Sequence, residues 1–373
     1  MSADNATVRP PKRARRSPEQ DNSPQHGSTS TGALLLTNHE HHPEFWFDDG
    51  NIILVTPKHM GFRIFRGLLA AQSTVFADMF ASSSPSADET LDGCPVVQVA
   101  DSHVDLAHLF RVLLPTSPIK WVFHLTVTKL PPLNVFTSYL QAAEPNHERV
   151  RSFDEISAVI RLAHKYHIPS IQEQALRALQ AYHFTSDFDV YFGPPKNHIS
   201  LHNIQHIGAV NLARLTDTPL MLPSALYGCC HIGGRLLDGW TREDGTVEHL
   251  STDDIKRCFD AHFLLAREQA PVPSRLCAPV PLDRCTERGR CKLYVTALAG
   301  SPSLVEMVMK EDMLTDRSPL IRSLQSNSMC DGCMQVLLEW DRLERKRVWD
   351  RLPQIFGIAV DGWAKVDGKD AQS

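Results

Sequence analysis

The stretch Phe62-Arg-Ile-Phe-Arg-Gly-Leu-Leu-Ala-Ala-Gln-Ser-Thr-Val-Phe-Ala-Asp-Met-Phe80 decides the fold of this chain. Its first residues alternate, with Phe62 and Ile64 on one face, which predicts a short half-buried strand. From Leu68 onward the apolar residues recur at helical spacing, and Ser73 stands where the N-cap of a second short helix is expected. The stretch therefore predicts a strand that leads directly into two helices, as in a mixed α/β unit.

These residues resemble the signature of the BTB/POZ family, a Phe followed by His-Arg and then by Leu-Ala-x-x-Ser-Pro-x-Phe-x-x-Met-Phe. The matching residues are Phe62, Arg66, Leu69, Ala70, Ser73, Val75, Phe76, Met79 and Phe80. The chain departs from the signature at Phe65, Gln72 and Thr74, where His, Arg and Pro are common. The resemblance covers residues 43–183 and implies an α+β fold, a small mixed sheet covered by helices.

The resemblance also implies a function. Proteins of this family form homo- or heterodimers, and some deliver bound proteins to a cullin-type ubiquitin ligase. We assign contact with a partner to six side chains of the opening stretch: Phe62, Leu69, Val75, Phe76, Met79 and Phe80. The alternative for each of them is a place in an ordinary apolar core.

The composition limits the classes of protein that need to be considered. The 373 residues suffice for about two domains, and the apolar and charged contents of 42% and 22% are those of a globular protein. A net charge of -5 gives no general attraction to nucleic acid, which we do not expect as a partner. No apolar run is long enough to span a bilayer, and residues 1–32 do not read as a secretory signal.

Residues 1–42 are polar and predicted to be disordered. Within them lies a basic cluster typical of a nuclear localisation signal, formed by Lys12, Arg13, Arg15 and Arg16 together with Arg9. The alternative is a solvated basic arm that touches nucleic acid weakly. The first interpretation predicts a protein that is nuclear, or both nuclear and cytoplasmic.

Turn and cap signals divide the rest of the first domain. Asp48-Asp-Gly-Asn51 separates two β-prone segments and predicts a hairpin-like entrance, and residues 95–100 predict a third strand. Ser102 is expected to cap one helix, and Ser152 with Glu155 forms a capping box for another. Residues 115–150 form an atypical insertion, for which two explanations stay open: a partner-binding excursion, or retained intron sequence.

Residues 184–360 are predicted to form a mainly helical second domain, followed by a disordered tail at 361–373. Ser251 and Asp254 should start one of its helices. The last helix is expected at about 333–352, with Asp341 and Arg345 as an i, i+4 ion pair.

Four of the nine cysteines predict a metal site. Cys330-x-x-Cys333 can offer two thiolates to one ion, and Cys285 with Cys291 can supply two more, as in a structural four-thiolate zinc site. Many members of a BTB group common in basidiomycete fungi, which this chain resembles, carry two cysteine pairs before an ending like Trp349-Asp-Arg-Leu-Pro-Gln-Ile-Phe-Gly357. The alternative is that these cysteines are free thiols.

We find no nucleophile elbow, phosphate-binding loop or water-activating ligand set, so we expect a non-enzymatic interaction module. The competing hypothesis is a transcriptional regulator that contacts DNA through its basic arm or zinc segment. It predicts salt-dependent DNA binding, although no recognition helix is visible in the sequence.

Overall fold

The computed structural model describes residues 39–82, 90–114, 151–193, 199–276, 285–299, 301–323 and 329–363. The predicted localisation signal and the predicted insertion at 115–150 lie outside these residues, as does the tail after residue 363. The structure is a mixed α+β fold, in which a small sheet is followed by helices.

A five-stranded mixed sheet forms the first layer, in the order β1-β3-β2-β5-β4. Its strands are β1 (Glu40–Trp46), β2 (Ile52–Val55), β3 (Met60–Ile64), β4 (Thr90–Leu91) and β5 (Cys94–Gln98). Strand β3 pairs in parallel with β1 and antiparallel with β2, and β2 pairs in parallel with β5. The predicted third strand at 95–100 corresponds to β5.

The predicted hairpin around residues 48–51 is wrong, because β3 lies between β1 and β2. The tight turn comes later, where the Thr56 N–H donates to the Met60 carbonyl and His59 adopts a φ of 57°. That turn places β2 on one edge of β3 and leaves the other edge to β1. Gly50 lies in the crossing segment, where a Cβ atom would come within 2.9 Å of Arg63 Cγ.

In the part of the chain that the structure describes, five helices follow or cover this sheet: α1 (Arg66–Gln72), α2 (Thr74–Ser82), α3 (His103–Leu113), α4 (Phe153–Lys165) and α5 (Pro169–Tyr182). Three predicted N-terminal signals are confirmed. Ser73 Oγ accepts from Phe76 N–H at the start of α2, and Ser102 Oγ accepts from Val104 N–H before α3. Ser152 and Glu155 complete the capping box of α4.

The remaining helices belong to residues 184–363. They are α6 (Phe188–Tyr191), α7 (His206–Leu215), α8 (Leu222–Cys230), α9 (Thr252–Gln269), α10 (Val272–Leu276), α11 (Arg288–Ala299), α12 (Pro302–Lys310), α13 (Ser318–Ser323), α14 (Asp331–Asp350) and α15 (Leu352–Ile355). Short strand pairs join β6 (Arg151–Ser152) to β7 (Ile199–Ser200) and β8 (Trp240–Thr241) to β9 (Val247–Glu248). The predicted Asp341–Arg345 ion pair is confirmed, at 2.8 Å.

Helix α4 contributes to two apolar cores, one between the sheet and its helices and one among the helices of the second half of the chain. Leu162 and Ala163 pack with the sheet and helices α1 to α3, whereas Phe153 and Ile156 pack with helices of the second half of the chain. The two halves are therefore joined through a shared helix as well as through surface contacts.

The ordered part of the chain extends beyond both predicted boundaries. Strand β1 begins at Glu40, three residues before the predicted start. At the other end Trp363 is buried against Trp349, and its indole N–H donates to the Trp349 carbonyl at 3.0 Å. None of the described helices combines the length and the apolar character needed to cross a membrane.

Candidate metal centre and partner surface

The four predicted cysteine ligands lie together between two helix starts. Cys330 is the N-cap of α14 and Cys333 lies in its first turn, while Cys291 lies in the first turn of α11 and Cys285 precedes that helix. Their sulfur atoms all lie within 4.8 Å of one another. The fold therefore brings the two cysteine pairs together, as the sequence predicts.

The spacing of the sulfurs suits a tetrahedral ion. With Zn–S bonds of about 2.3 Å, neighbouring sulfurs of a tetrahedral site are about 3.8 Å apart. The Cys330 and Cys285 sulfurs are 3.9 Å apart. Three of the thiols are buried and Cys285 is half-buried, so an ion held here would be shielded from solvent on most sides.

The local electrostatics favour a thiolate at Cys330. Burial raises the pKa of Cys330, but hydrogen bonds from the backbone of Cys333 and Thr286 and from the Thr286 side chain outweigh it and lower the pKa to about 5. The N-terminus of α14 contributes in the same direction, since the helix dipole favours negative charge there. Burial raises the pKa of Cys291, whose sulfur accepts from the Cys330 N–H at 3.3 Å.

A metal ion held by these residues would be enclosed by four sulfur donors, with no position left for a reactive water. Thirty-eight residues lie between Cys291 and Cys330. Such an ion would tie the start of α11 to the start of α14 and close the segment that contains α12 and α13.

The six predicted partner residues divide between interior and surface. Phe62, Leu69 and Phe76 are fully enclosed, and Phe80 nearly so. Val75 and Met79 are half-buried and are the members of the set that a partner can reach on the folded chain.

Sequence reasoning missed Leu68 as a surface residue of the α1–α2 pair. Its side chain is 42% exposed, on the same helical hairpin as Val75 and Met79. These three residues are called the hairpin face below. The sequence does not show which of the adjacent Leu68 and Leu69 is exposed, because other short helices of this chain bury adjacent residues, such as Leu109 and Phe110 of α3.

A polar junction that the sequence did not reveal joins the two halves of the chain. Arg242, which follows β8, forms an ion pair with Asp105 in α3, and it lies 3.5 Å from Glu248 in β9. Glu248 also pairs with Arg161 in α4 at 2.6 Å. Nearby, the His108 ring lies 2.9 Å from the Glu243 carboxylate. The β8–β9 hairpin thus rests on α3 and α4 of the first half.

Comparison with protein-family models and with curated proteins finds no match for this chain.

Proposed function

We propose that the chain is a non-enzymatic protein-interaction module whose first half is a BTB/POZ-type unit. The observation that carries the proposal is the hairpin face, where the exposed Leu68 lies on the same pair of short helices as the half-buried Val75 and Met79. The small mixed sheet and the helices that follow it support the proposal, because the resemblance implies a small mixed sheet covered by helices.

Self-association through the hairpin face is the first proposed activity. A two-fold axis through this face would bring its Leu68, Val75 and Met79 against the same residues of a second copy. Strand β1 offers a second contact, because it is an edge strand of the sheet and an edge can accept or exchange a strand. A heterodimer with a related chain would use the same surfaces.

Recruitment is the second proposed activity. The partner bound by one part of the chain would be presented to a cullin-type ubiquitin ligase bound by the BTB-type unit. The junction between the two halves supports such a role, because shared helix α4 and the β8–β9 hairpin hold the second half of the chain against the first.

A single structural zinc ion at Cys285, Cys291, Cys330 and Cys333 is the proposed cofactor. The sulfur spacing and the buried position support zinc, and the four-thiolate set suits that ion more than a hard cation such as magnesium. The ion would stabilise the second half of the chain and take no part in a reaction.

The proposed location is the nucleus, or nucleus and cytoplasm, on the basis of the basic cluster at residues 12–16. Alanine substitution of Lys12, Arg13, Arg15 and Arg16 in a fluorescent fusion should abolish nuclear accumulation.

The competing function, DNA binding, would appear as an affinity for duplex DNA that falls with salt at a slope set by the number of phosphate contacts.

The mass of the full chain in solution tests self-association. The substitution Phe76→Asp is unsuitable, because Phe76 is enclosed and its ring stacks on Tyr166 at 4.0 Å, so a charge there would unfold the unit. We choose Leu68→Glu with Met79→Glu on the hairpin face, and Phe263→Glu as the control. Phe263 lies on α9 and is 66% exposed.

Light scattering should give twice the chain mass for the wild type and for Phe263→Glu. The double variant should be a folded monomer, with self-association weakened about 100-fold or more, because charges would enter a buried interface. A monomeric wild type that also captures no partner through this face contradicts the proposal, and so does a double variant that dimerises as tightly as the wild type.

A further inference from the structure

A second group of thiols lies away from the candidate metal centre, between helices α8 and α9. Cys229 and Cys230 end α8, and Cys258 lies in the second turn of α9. The Cys230 thiol donates to the Cys258 carbonyl at 3.6 Å. Two packed helices therefore bring Cys230, next to Cys229, into contact with Cys258.

The helix faces explain why they meet. Ala225, one turn before Cys229, and Ala261, about one turn after Cys258, are fully buried in the same core. Small side chains at these positions allow the backbones of two packed helices to approach closely. Cys229 and Cys258 are buried, whereas Cys230 is half-buried and gives the group a route to solvent.

The arrangement differs from that of the metal centre. Among the residues that the structure describes, the group whose ligand atoms all lie within 4.8 Å of one another is Cys285, Cys291, Cys330 and Cys333. Cys229, Cys230 and Cys258 do not belong to that group. Two cysteines in contact across two helices suit the formation of a disulfide better than the enclosure of an ion, which takes four donors.

We propose that Cys258 and Cys230 are a modification site for peroxide, which converts them into a reversible disulfide between α8 and α9. The proposal is independent of the proposed partner binding. Two features of the geometry carry it: the contact of the Cys230 sulfur with the Cys258 backbone across two packed helices, and the half-buried position of Cys230.

The reaction balances with one hydrogen peroxide molecule. The Cys258 thiolate attacks one peroxide oxygen, the O–O bond breaks, and the departing hydroxide takes a proton and leaves as water, which makes Cys258 a sulfenic acid. The Cys230 sulfur then attacks the Cys258 sulfur, the S–O bond breaks, and the hydroxide takes the Cys230 proton to leave as a second water. Two thiols are oxidised and the peroxide is reduced to two waters.

The surroundings of Cys258 favour its thiolate form, which the first step requires. Hydrogen bonds from the Cys229 and Cys230 thiols lower the pKa of Cys258 to about 5, although burial and the nearby Asp254 oppose this effect. The thiolate is the reactive form of cysteine, so Cys258 is the nucleophile of the pair and Cys230 the resolving thiol.

The disulfide would close a loop of the chain between α8 and α9. Residues 231–257 lie between the two cysteines and include the β8–β9 hairpin, which rests on α3 and α4. Oxidation would therefore constrain the segment that joins the two halves of the chain.

Peptide mapping of the full chain tests the site. Zinc-loaded protein is treated with hydrogen peroxide, alkylated and digested with trypsin without reduction. Cleavage after Lys and Arg puts Cys229 and Cys230 in the peptide 215–235, and Cys258 in the peptide 258–267. We expect these two peptides to appear joined, lighter by two hydrogens, with fragment ions that place the bond at Cys230. Dithiothreitol should separate them.

The variant Cys230→Ser, at a half-buried position, should retain the fold, accumulate a Cys258 sulfenic acid that dimedone traps, and form no joined peptide. Cys94→Ser is the control, because Cys94 is a buried thiol in the sheet, and this variant should form the joined peptide at the wild-type rate. A bond at Cys229 in place of Cys230 overturns the proposal. It is also overturned if Cys258 stays reduced while the buried Cys94 is oxidised at an equal or higher rate.

Discussion

The Ser73 hydroxyl connects the opening stretch to the end of α4, because it donates to the Tyr166 carbonyl at 2.5 Å while accepting from the Phe76 N–H at 3.0 Å. Ser73 is almost fully buried, and the Tyr166 ring stacks on Phe76. One side chain thus caps a helix and satisfies a backbone carbonyl that lies ninety-three residues away in sequence.

The substitution Ser73→Ala should lower the free energy of unfolding by about 2–3 kcal/mol, since it removes a helix cap and leaves a buried carbonyl without its partner. Urea unfolding followed by circular dichroism measures the loss. Ser82→Ala is the matched control, because Ser82 ends the same helix at an exposed position and should change stability by less than about 0.5 kcal/mol. Equal effects at the two serines would argue against a special role for Ser73.

Zinc should be present at about one equivalent per chain in protein purified without chelator. The double variant Cys330→Ser, Cys333→Ser should lose it and should melt at a lower temperature, because the metal links α11 to α14 in the folded state alone. Elemental analysis and a thermal scan give both quantities, with Cys94→Ser as the control that keeps its metal. Less than about half an equivalent in the wild type, with all thiols titratable, would rule the site out.

Arg242→Ala should destabilise the junction by about 3 kcal/mol, because it leaves the Asp105 carboxyl buried without its cation. Burial raises the pKa of Asp105, and the attraction of Arg242 opposes that shift, so part of the cost will appear as protonation of Asp105. The double variant Arg242→Ala, Asp105→Asn should recover part of the loss. Lys256→Ala breaks an exposed pair with Asp253 and should cost less than about 0.5 kcal/mol.

Stability should fall as the pH drops from about 6.5 to about 4 because of His206. Burial between α7 and α8 lowers the pKa of His206 to about 4, well below its usual 6.5, and the ring lies against Gly228. In this pH range the unfolded chain binds a proton that the folded chain does not, so protonation favours unfolding. The contribution is at most about 3 kcal/mol and is complete below pH 4.

The variant His206→Gln should flatten that part of the pH profile, since glutamine cannot take up the proton. The measurement is the free energy of unfolding at several pH values for the wild type and the variant. A profile that keeps the same slope in the variant would show that other groups cause the acid sensitivity.

Signals that act within a few residues of one another were readable from the sequence. The caps at Ser73, Ser102, Ser152 and Ser251 were correctly placed, because each depends on a hydrogen bond between a side chain and a backbone group two or three residues away. The Asp341–Arg345 pair was predictable for the same reason, since one helical turn separates its members.

Exposure along a helix was less predictable. In α9 the apolar residues Phe259 and Phe263 are 61% and 66% exposed, whereas Cys258 on the same helix is buried. Periodicity indicates that a helix has an apolar stripe, but the neighbouring helices decide which side of that stripe they cover.

The sequence alone determined the local elements of this protein: a strand leading into paired helices at residues 62–80, the starts of the capped helices, and two cysteine pairs of suitable spacing. The tertiary structure alone decided that β3 separates β1 from β2, that the cysteine pairs meet, that Arg242 reaches Asp105, and that Cys230 touches Cys258. The physical reason is the separation along the chain of the residues that interact. Caps and periods depend on neighbours in the chain, whereas strand order and side-chain clusters depend on which distant surfaces are buried together.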